Sequence, residues 1–278
     1  MSVGGELKNE LDFICNDVRK NIIELAYRAG ANSAHCGGSL SAVEIFVTLY
    51  HKFLKMDVND MANRDRLIIS KAHASLAQYC VLASKGVLTR EDLLSFEQNG
   101  SQYTVHAHKN IEKGFEFSGG SLGLGMSYAV GVAYALKEKG SKARVYVVLG
   151  DGECDEGIVW ESMMFAKHNA LCNLVVIVDH NHLQADGFVE DVMDTANLAD
   201  KFRSFGFCTY EVDGHSIAEL SSAYSKQSDI VPTAIVAETI KGKGVSFMEN
   251  KYNWHFSVLP EGKYKKAMSE LMKYEDGI

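Results

Sequence analysis

Apolar positions along this chain follow two rhythms in turn, a helical spacing and short unbroken runs. Over residues 11–30, Leu11, Ile14, Cys15, Val18, Ile22, Leu25 and Ala29 share one helical face, and Gly30 supplies a stop. A loop, ANSAHCGGSL, leads to a second helix predicted from Ser41 to about Phe53. DRLIISKAHASLAQYCVLASKG reads as a short strand, a turn and a helix closed by Gly86, and Thr89 with Glu91 suggests a capped helix over 89–98. From 118, SGGSLGLGMSYAVGVAYALKEKG passes from glycines into an alanine-rich helix that could pack closely on a sheet. Residues 144–149 and 173–179 are apolar runs of strand length, the pattern of parallel strands covered on both faces, joined by a helix over about 156–169. A helix at about 196–205, the segment FCTYEVDGH, a strand in TAIVAETI and a helix around 261–274 follow.

Strands alternating with helices predict an α/β fold, a parallel sheet with helices on both faces. Without an internal repeat, a linker or a break in composition, residues 1–278 read as one domain with a C-terminal helical extension. Composition narrows the function. The 28 basic residues are outnumbered by 36 acidic ones, for a formal charge of −8, and they are scattered, so nucleic-acid binding is not expected. The start of the chain lacks the pattern of a signal peptide, and apolar windows such as NLVVIVD are too short to cross a bilayer. The six cysteines form no CxxC pair and read as thiols of a reducing compartment. A cytoplasmic globular protein is expected.

Ligands of open parallel sheets bind beyond the carboxyl ends of the strands. The first clear strand ends in GDGE, with Asp151, and the second in DHNH, with Asn181. If the two strands are neighbours, a carboxylate and an amide oxygen meet there, a hard oxygen set suited to Mg²⁺ or Ca²⁺ that leaves positions for phosphate oxygens. Gly150 and Gly152 let the backbone approach such an anion, and the following helix offers its N-terminal amides. Taken singly, GDG is also an ordinary turn and Asn181 an ordinary cap. The pairing of the two strand ends favours a metal–diphosphate site.

GDGECDEGIVWES followed by NLVVIVDHNHLQADG resembles the thiamine diphosphate motif, and its surroundings are similar to the N-terminal half of transketolases. SAHCGGSLSAVEIFVTLYHKFLKMD, DRLIISKAHASLAQY, EFSGGSLGLGMSYAVGVAYALK, VDGHS, ETIKGKGVSFMEN and NWHF extend the likeness over nearly the whole chain. The resemblance implies thiamine diphosphate with Mg²⁺ (Ca²⁺ or Mn²⁺ as substitutes) held by Asp151, Asn181 and the Leu183 carbonyl. It places Gly152, its neighbour Glu153, Asn181, His73 and His255 against the cofactor, and the backbone of Gly120, Ser121 and Leu122 against the aminopyrimidine. His35, His106 and His255 match histidines of the substrate channel, where imidazoles suit proton movement among sugar hydroxyls. Glu156 matches a glutamate at the contact between subunits, linked to the one that activates the cofactor. Glu153 and Asp155 are expected to turn their charge to solvent. His51, His108, His168 and His215 are taken as bystanders.

Four departures from the family pattern stand out: HCGG for His-Pro-Gly, KAHAS for Gly-His-Gly, HAHK for a His-Pro-acid motif, and Phe256 for a glycine after the last histidine. They put the usual sugar phosphates in question as substrates, and Phe256 could narrow the channel. The sequence offers no second sheet domain and no candidate for the activating glutamate. The resemblance therefore implies the N-terminal subunit of a split transketolase, moving a two-carbon ketol unit from a ketose to an aldehyde. The pyrimidine-binding and C-terminal domains, with that glutamate, are expected on a partner chain in an α₂β₂ assembly. The alternatives are the α subunit of a 2-oxoacid dehydrogenase, a deoxyxylulose phosphate synthase and a catalytically idle subunit that binds cofactor. A dinucleotide fold is disfavoured because GSLGLG follows no clear strand.

Overall fold

A computed structural model describes residues 3–57 and 60–275. The chain opens with α1 (Val3–Ala29), α2 (Cys36–Ser41) and α3 (Val43–Thr48), the last running into a π-helical turn over Leu49–Phe53. β1 (Arg66–Ile69) leads to α4 (Ser75–Ser84) and α5 (Arg90–Leu94). Next come α6 (Leu124–Glu138), β2 (Val145–Gly150), α7 (Gly157–His168) and β3 (Leu174–His180). α8 (Val189–Val192), α9 (Leu198–Ser204), β4 (Cys208–Asp213), α10 (Ile217–Ser225), β5 (Thr233–Glu238) and α11 (Glu261–Glu275) complete it.

The five strands form one parallel sheet in the order β1-β2-β3-β5-β4. Their side chains alternate between two cores, as the two-residue period of a strand requires. Leu67, Tyr146, Val148, Ile177 and Ile235 pack on the side of α1, α3, α4 and α10. Ile68, Val147, Leu149, Val176 and Val236 pack on the side of α6, α7 and α9. This accounts for the unbroken apolar runs in the sequence: both faces of each central strand are buried. The register pairs Gly150 with Asp179 and His180 with Glu238, so the polar strand ends finish at one level.

The structure revises four local expectations. The helix predicted from Ser41 begins at Cys36, turns at Ala42 and is not continuous to Phe53. Its two glycines, read as loop, are needed for close approach: a Cβ on Gly38 would sit 2.7 Å from His73 and one on Gly37 2.9 Å from the Trp254 carbonyl. The cap of α5 pairs Thr89 with Asp92 rather than Glu91, and that helix ends at Leu94. α8, and α10 with Ser216 as its cap, were not anticipated. The expected C-terminal helix stands as α11.

α6 approaches β1 through Gly125, whose added Cβ would fall 2.5 Å from Ser70 Cβ and 2.6 Å from its Cα, whereas one on Gly131 of the same helix would meet nothing within 4 Å. The two positions should respond to alanine with opposite signs. Gly125→Ala is expected to cost about 1–3 kcal/mol by overpacking, and Gly131→Ala to stabilise by up to about 1 kcal/mol through helix propensity. Urea denaturation of the two variants checks both signs.

Candidate active site

The carboxyl ends of β1, β2 and β3, with the segment after β5, surround a cavity of about 330 Å³. At its floor Lys71, just beyond β1, forms an ion pair with Asp179 of β3, and both side chains are within 1% of complete burial. Ser41 donates to the same carboxylate at 2.6 Å, and Thr239 donates to its other oxygen. Burial raises the Asp179 carboxyl, but Lys71, Ser41 and Thr239 outweigh it and hold the pKa below its ordinary value.

Asp151, one residue past β2, is 3% exposed. Among the described residues its oxygens accept from two backbone donors, Gly152 N–H at 2.8 Å and His182 N–H at 2.5 Å. Burial raises its pKa, and so does the nearby charge of Asp179. A buried carboxylate without a cation of its own is unfavourable. Asn181, also buried, turns its amide NH₂ toward Asp179 and its oxygen toward the Leu183 N–H. Asp151, Asn181 and Leu183 line the same cavity, so the structure brings together the three residues expected to hold a metal. The donor set is all oxygen and fits a hard divalent cation.

His35, His73, His106 and His255 line the upper part of this cavity. Ring centroids lie 5.3 Å apart for His35–His106, 5.4 Å for His35–His255 and 4.9 Å for His73–His255. Burial lowers the pKa of His35 to about 4, aided by His106, Lys241 and Lys71. Burial and Lys241 bring His255 to about 3, and burial with Lys71 holds His73 well below its ordinary value. His106 is lowered too, first by burial. The channel imidazoles are therefore neutral near pH 7, each able to donate from one nitrogen and accept at the other. Lys241 Nζ lies 3.0 Å from His255 Nδ1, and an ammonium there makes Nδ1 the acceptor and leaves the ring proton on Nε2. His35 Nδ1 is buried with no hydrogen-bond partner among the described residues. Phe256 packs on the His35 ring at 4.6 Å between centroids, so it stands at the histidine cluster, as its position in the sequence suggested.

The other expectations divide. Gly120, Leu122 and Gly152 line the cavity, whereas Ser121 is exposed and is not part of the lining. A Cβ on Gly152 would fall 2.7 Å from the Gln184 side chain, which would have to shift to admit it. Glu153 is not a solvent-facing turn acid. It is 2% exposed and accepts from Ser70 Oγ, from Gly123 N–H at 2.7 Å and from Gly150 N–H at 3.1 Å. Its carboxylate thus ties β1, β2 and the start of α6 together, and its oxygens are occupied by protein donors. Asp155 is half-buried and accepts from Gln184 at 2.7 Å, so it too is engaged by the protein. Glu156 is exposed at the start of α7, outside the cavity. His168 is exposed and His51 bonds Ser84, while His215 is a satisfied interior residue between Glu44 and the Ile240 N–H. His108 lines a neighbouring cavity with Tyr103 and Lys109.

Sequence reasoning missed Lys71 and Lys241, which supply the positive charge of the site. Lys241 is buried, donates to the Leu183 carbonyl at 2.8 Å and to that of Gln184 at 3.0 Å, and has its pKa lowered to about 8, first by burial and then by Lys71. Their segments, KAHAS and IKGKG, were quoted for the histidine and glycines in them, and nothing local in either marks its lysine as buried.

Residues 16–274 match the family model described as "Transketolase, thiamine diphosphate binding domain". The chain is 37% identical over 272 residues to the 6-deoxy-6-sulfo-D-fructose transketolase subunit SqwG of Clostridium sp. (strain MSTE9), covering 96% of this chain and 98% of that one. It is 36% identical over 266 residues to an apulose-4-phosphate transketolase subunit of Actinobacillus succinogenes, covering 95% and 96%. The transketolase structure from Leishmania mexicana superposes with a TM-score of 0.86 at 26% identity, over 94% of this chain and 41% of that enzyme. The chain thus spans about two fifths of the single-chain enzyme's length.

The charges at this site make stability testable in two ways. Lys71→Met leaves Asp179 buried without a countercharge and should cost about 3–5 kcal/mol, whereas Lys71→Met combined with Asp179→Leu should recover part of that in urea denaturation. His35 and His255 fold with pKa values of about 4 and about 3, below the ordinary 6.5, so the unfolded chain binds more protons below pH 6.5. Their contribution is fully present above that pH and declines as pH falls toward 4 and then 3. Denaturation midpoints between pH 7 and 4 should drop less steeply in His35→Asn and His255→Asn than in the parent.

Proposed function

This chain belongs to the transketolase family as its thiamine diphosphate-binding domain, and on that premise we propose that it is the N-terminal subunit of a split transketolase. Its reaction moves a two-carbon ketol unit from a ketose to an aldehyde acceptor. The observation that carries the reading is the buried Asp151, without a cation of its own, beside Asn181 and beneath four neutral histidines. A divalent metal and a diphosphate satisfy that floor together, and a polyhydroxylated substrate satisfies the channel. A dinucleotide fold explains neither.

Asp151, Asn181 and the Leu183 carbonyl hold Mg²⁺. His73 and the backbone at Gly152 would face the diphosphate, with Lys71, paired to Asp179, at the floor beside it. The backbone of Gly120 and Leu122 meets the aminopyrimidine, with Ser121 between them. Bound there, thiamine diphosphate supplies a nucleophilic carbon and an electron sink for cleaving the ketose C–C bond. This chain's own residues orient the substrate and move protons. His255, with its proton on Nε2, donates to a substrate oxygen. His35 offers its unpaired Nδ1, and with His106 it accepts from or donates to hydroxyls in the channel. Phe256 narrows the space at His35 and so selects among donors.

The site is half of an active site. A partner chain carries the pyrimidine-binding domain and the glutamate that activates the cofactor, and Glu156, exposed at the start of α7, faces that chain in an α₂β₂ assembly. The two bacterial relatives are themselves named as transketolase subunits, and this chain nearly matches their lengths, which supports that division. They are named for a sulfonated ketose and a phosphorylated one. A donor with an anionic group remote from its carbonyl is accordingly the class to screen first.

The test is reconstitution. The purified chain should show no ketol transfer alone, and the chain co-expressed with its partner should show it with Mg²⁺ and thiamine diphosphate. In the assembled enzyme Asp151→Ala should abolish turnover, and His255→Ala should lower kcat by about 10²–10⁴-fold, the range of a lost general acid or base. Ketol transfer by the isolated chain would overturn the split assembly. Unchanged turnover in His255→Ala would favour an idle chain that only binds cofactor.

A further inference from the structure

The carboxyl ends of β3 and β5 carry a second cluster, outside the cavity just described. His180 and Glu238 are register partners across the two strands, and His182 follows one residue beyond Asn181. His180 Nδ1 lies 2.5 Å from one Glu238 oxygen and His182 Nε2 lies 2.8 Å from the other. The two imidazole centroids are 4.0 Å apart. Among the described residues, these three form a group whose ligand atoms all fall within 4.8 Å of one another. They do not line the cavity of the four histidines. His180 and His182 open instead onto a separate cavity of about 350 Å³, whose lining includes Glu190 and Asp194.

We propose that His180, His182 and Glu238 bind a divalent transition ion of the zinc class, at a site distinct from the Mg²⁺ position. Two imidazole nitrogens and one carboxylate oxygen suit Zn²⁺, Co²⁺ or Ni²⁺, whereas Mg²⁺ keeps to the oxygen set of Asp151 and Asn181. Three protein ligands leave a fourth position, which faces the second cavity, where water, Glu190 or Asp194 completes the coordination. The scaffold is held before any ion arrives. The β3–β5 ladder fixes His180 against Glu238, and the Thr239 N–H donates to the His180 carbonyl at 2.9 Å. His182 is fixed through its backbone, its N–H on Asp151 and its carbonyl accepting from the Val189 N–H at 3.0 Å. His182 also has φ +61, in the left-handed region, which histidine enters more often than most side chains.

The experiment uses the full 278-residue chain, stripped with EDTA and returned to saturating Mg²⁺ to fill the oxygen site. Calorimetric titration with Zn²⁺ should give one equivalent bound, and Co²⁺ should develop the intense visible bands of a four-coordinate nitrogen-ligated site. His182→Asn tolerates the left-handed backbone and removes the imidazole; it and Glu238→Gln should each weaken Zn²⁺ by more than about tenfold, since losing even an outer partner of a metal ligand costs 10–100-fold, and should lose the Co²⁺ bands. Thermal melts in EDTA show that each variant is folded, and His180→Gln replaces any that is not. Absence of Zn²⁺ binding overturns the proposal. So does parent-like affinity in the folded variants, which would move the ion to the channel histidines.

Discussion

An ammonium and a carboxylate with almost no access to water meet under the crevice, and the rest of the site is arranged around them. Lys71 arrives just after β1 and Asp179 near the end of β3, while Ser41 of α2 and Thr239, after β5, complete the hydrogen bonds of the carboxylate. Three separate segments converge on this one carboxylate. Such a pair is poor evidence for net stability, because desolvating two charges offsets most of their attraction, but each partner makes the other indispensable. What it secures is position. It fixes the ends of β1, β3 and β5 relative to one another at the level where Asp151 and Asn181 stand.

The same pair determines the electrostatics above it. Asp179 claims Lys71 and its own charge raises Asp151, so the second carboxylate is left as a buried anion without a dedicated countercharge. Lys241, with its pKa brought down to about 8, is committed to the carbonyls of Leu183 and Gln184 and to His255. The floor thus holds a deficit of positive charge at Asp151, while Lys71 and the buried Lys241 discourage the histidines from protonating. A divalent cation suits the first and neutral imidazoles result from the second. One distribution of four charges serves both purposes.

Most of the fold was legible in the sequence because both faces of the central strands are covered, which leaves runs such as VYVVLG and LVVIVD without a polar interruption. The strand-end logic that paired Asp151 with Asn181 survived for the same reason: a parallel register brings equivalent ends to one level. Glu153 was misread because local sequence cannot separate it from Asp155 or Glu156. Its burial is decided by Ser70 and Gly123, which arrive from remote parts of the chain. Cys36–Ser41 looked like loop since glycine disfavours helices on its own, while here Gly37 and Gly38 are required by Trp254 and His73 pressing against them. Lys71 and Lys241 were invisible for the converse reason. A lysine is ordinarily a surface residue, and only the tertiary arrangement shows these two buried.

His182 joins the two polar clusters at the sheet end. Its N–H must reach Asp151, and the backbone turn that achieves this requires φ +61, a conformation that glycine adopts freely and other residues at a cost of about 1–2 kcal/mol. The backbone demand alone would be met better by glycine. The histidine ring is turned instead to Glu238, beside His180, while Asn181 between the two histidines turns its amide toward Asp179 and the cavity. Alternation along the end of one strand therefore separates two chemistries, oxygen donors on one side and imidazoles with a carboxylate on the other. Any shift of this segment moves both at once, because the residue that anchors Asp151 through its backbone is the one that presents its ring to Glu238. The two sites share a peptide unit, and the geometry of each constrains the other.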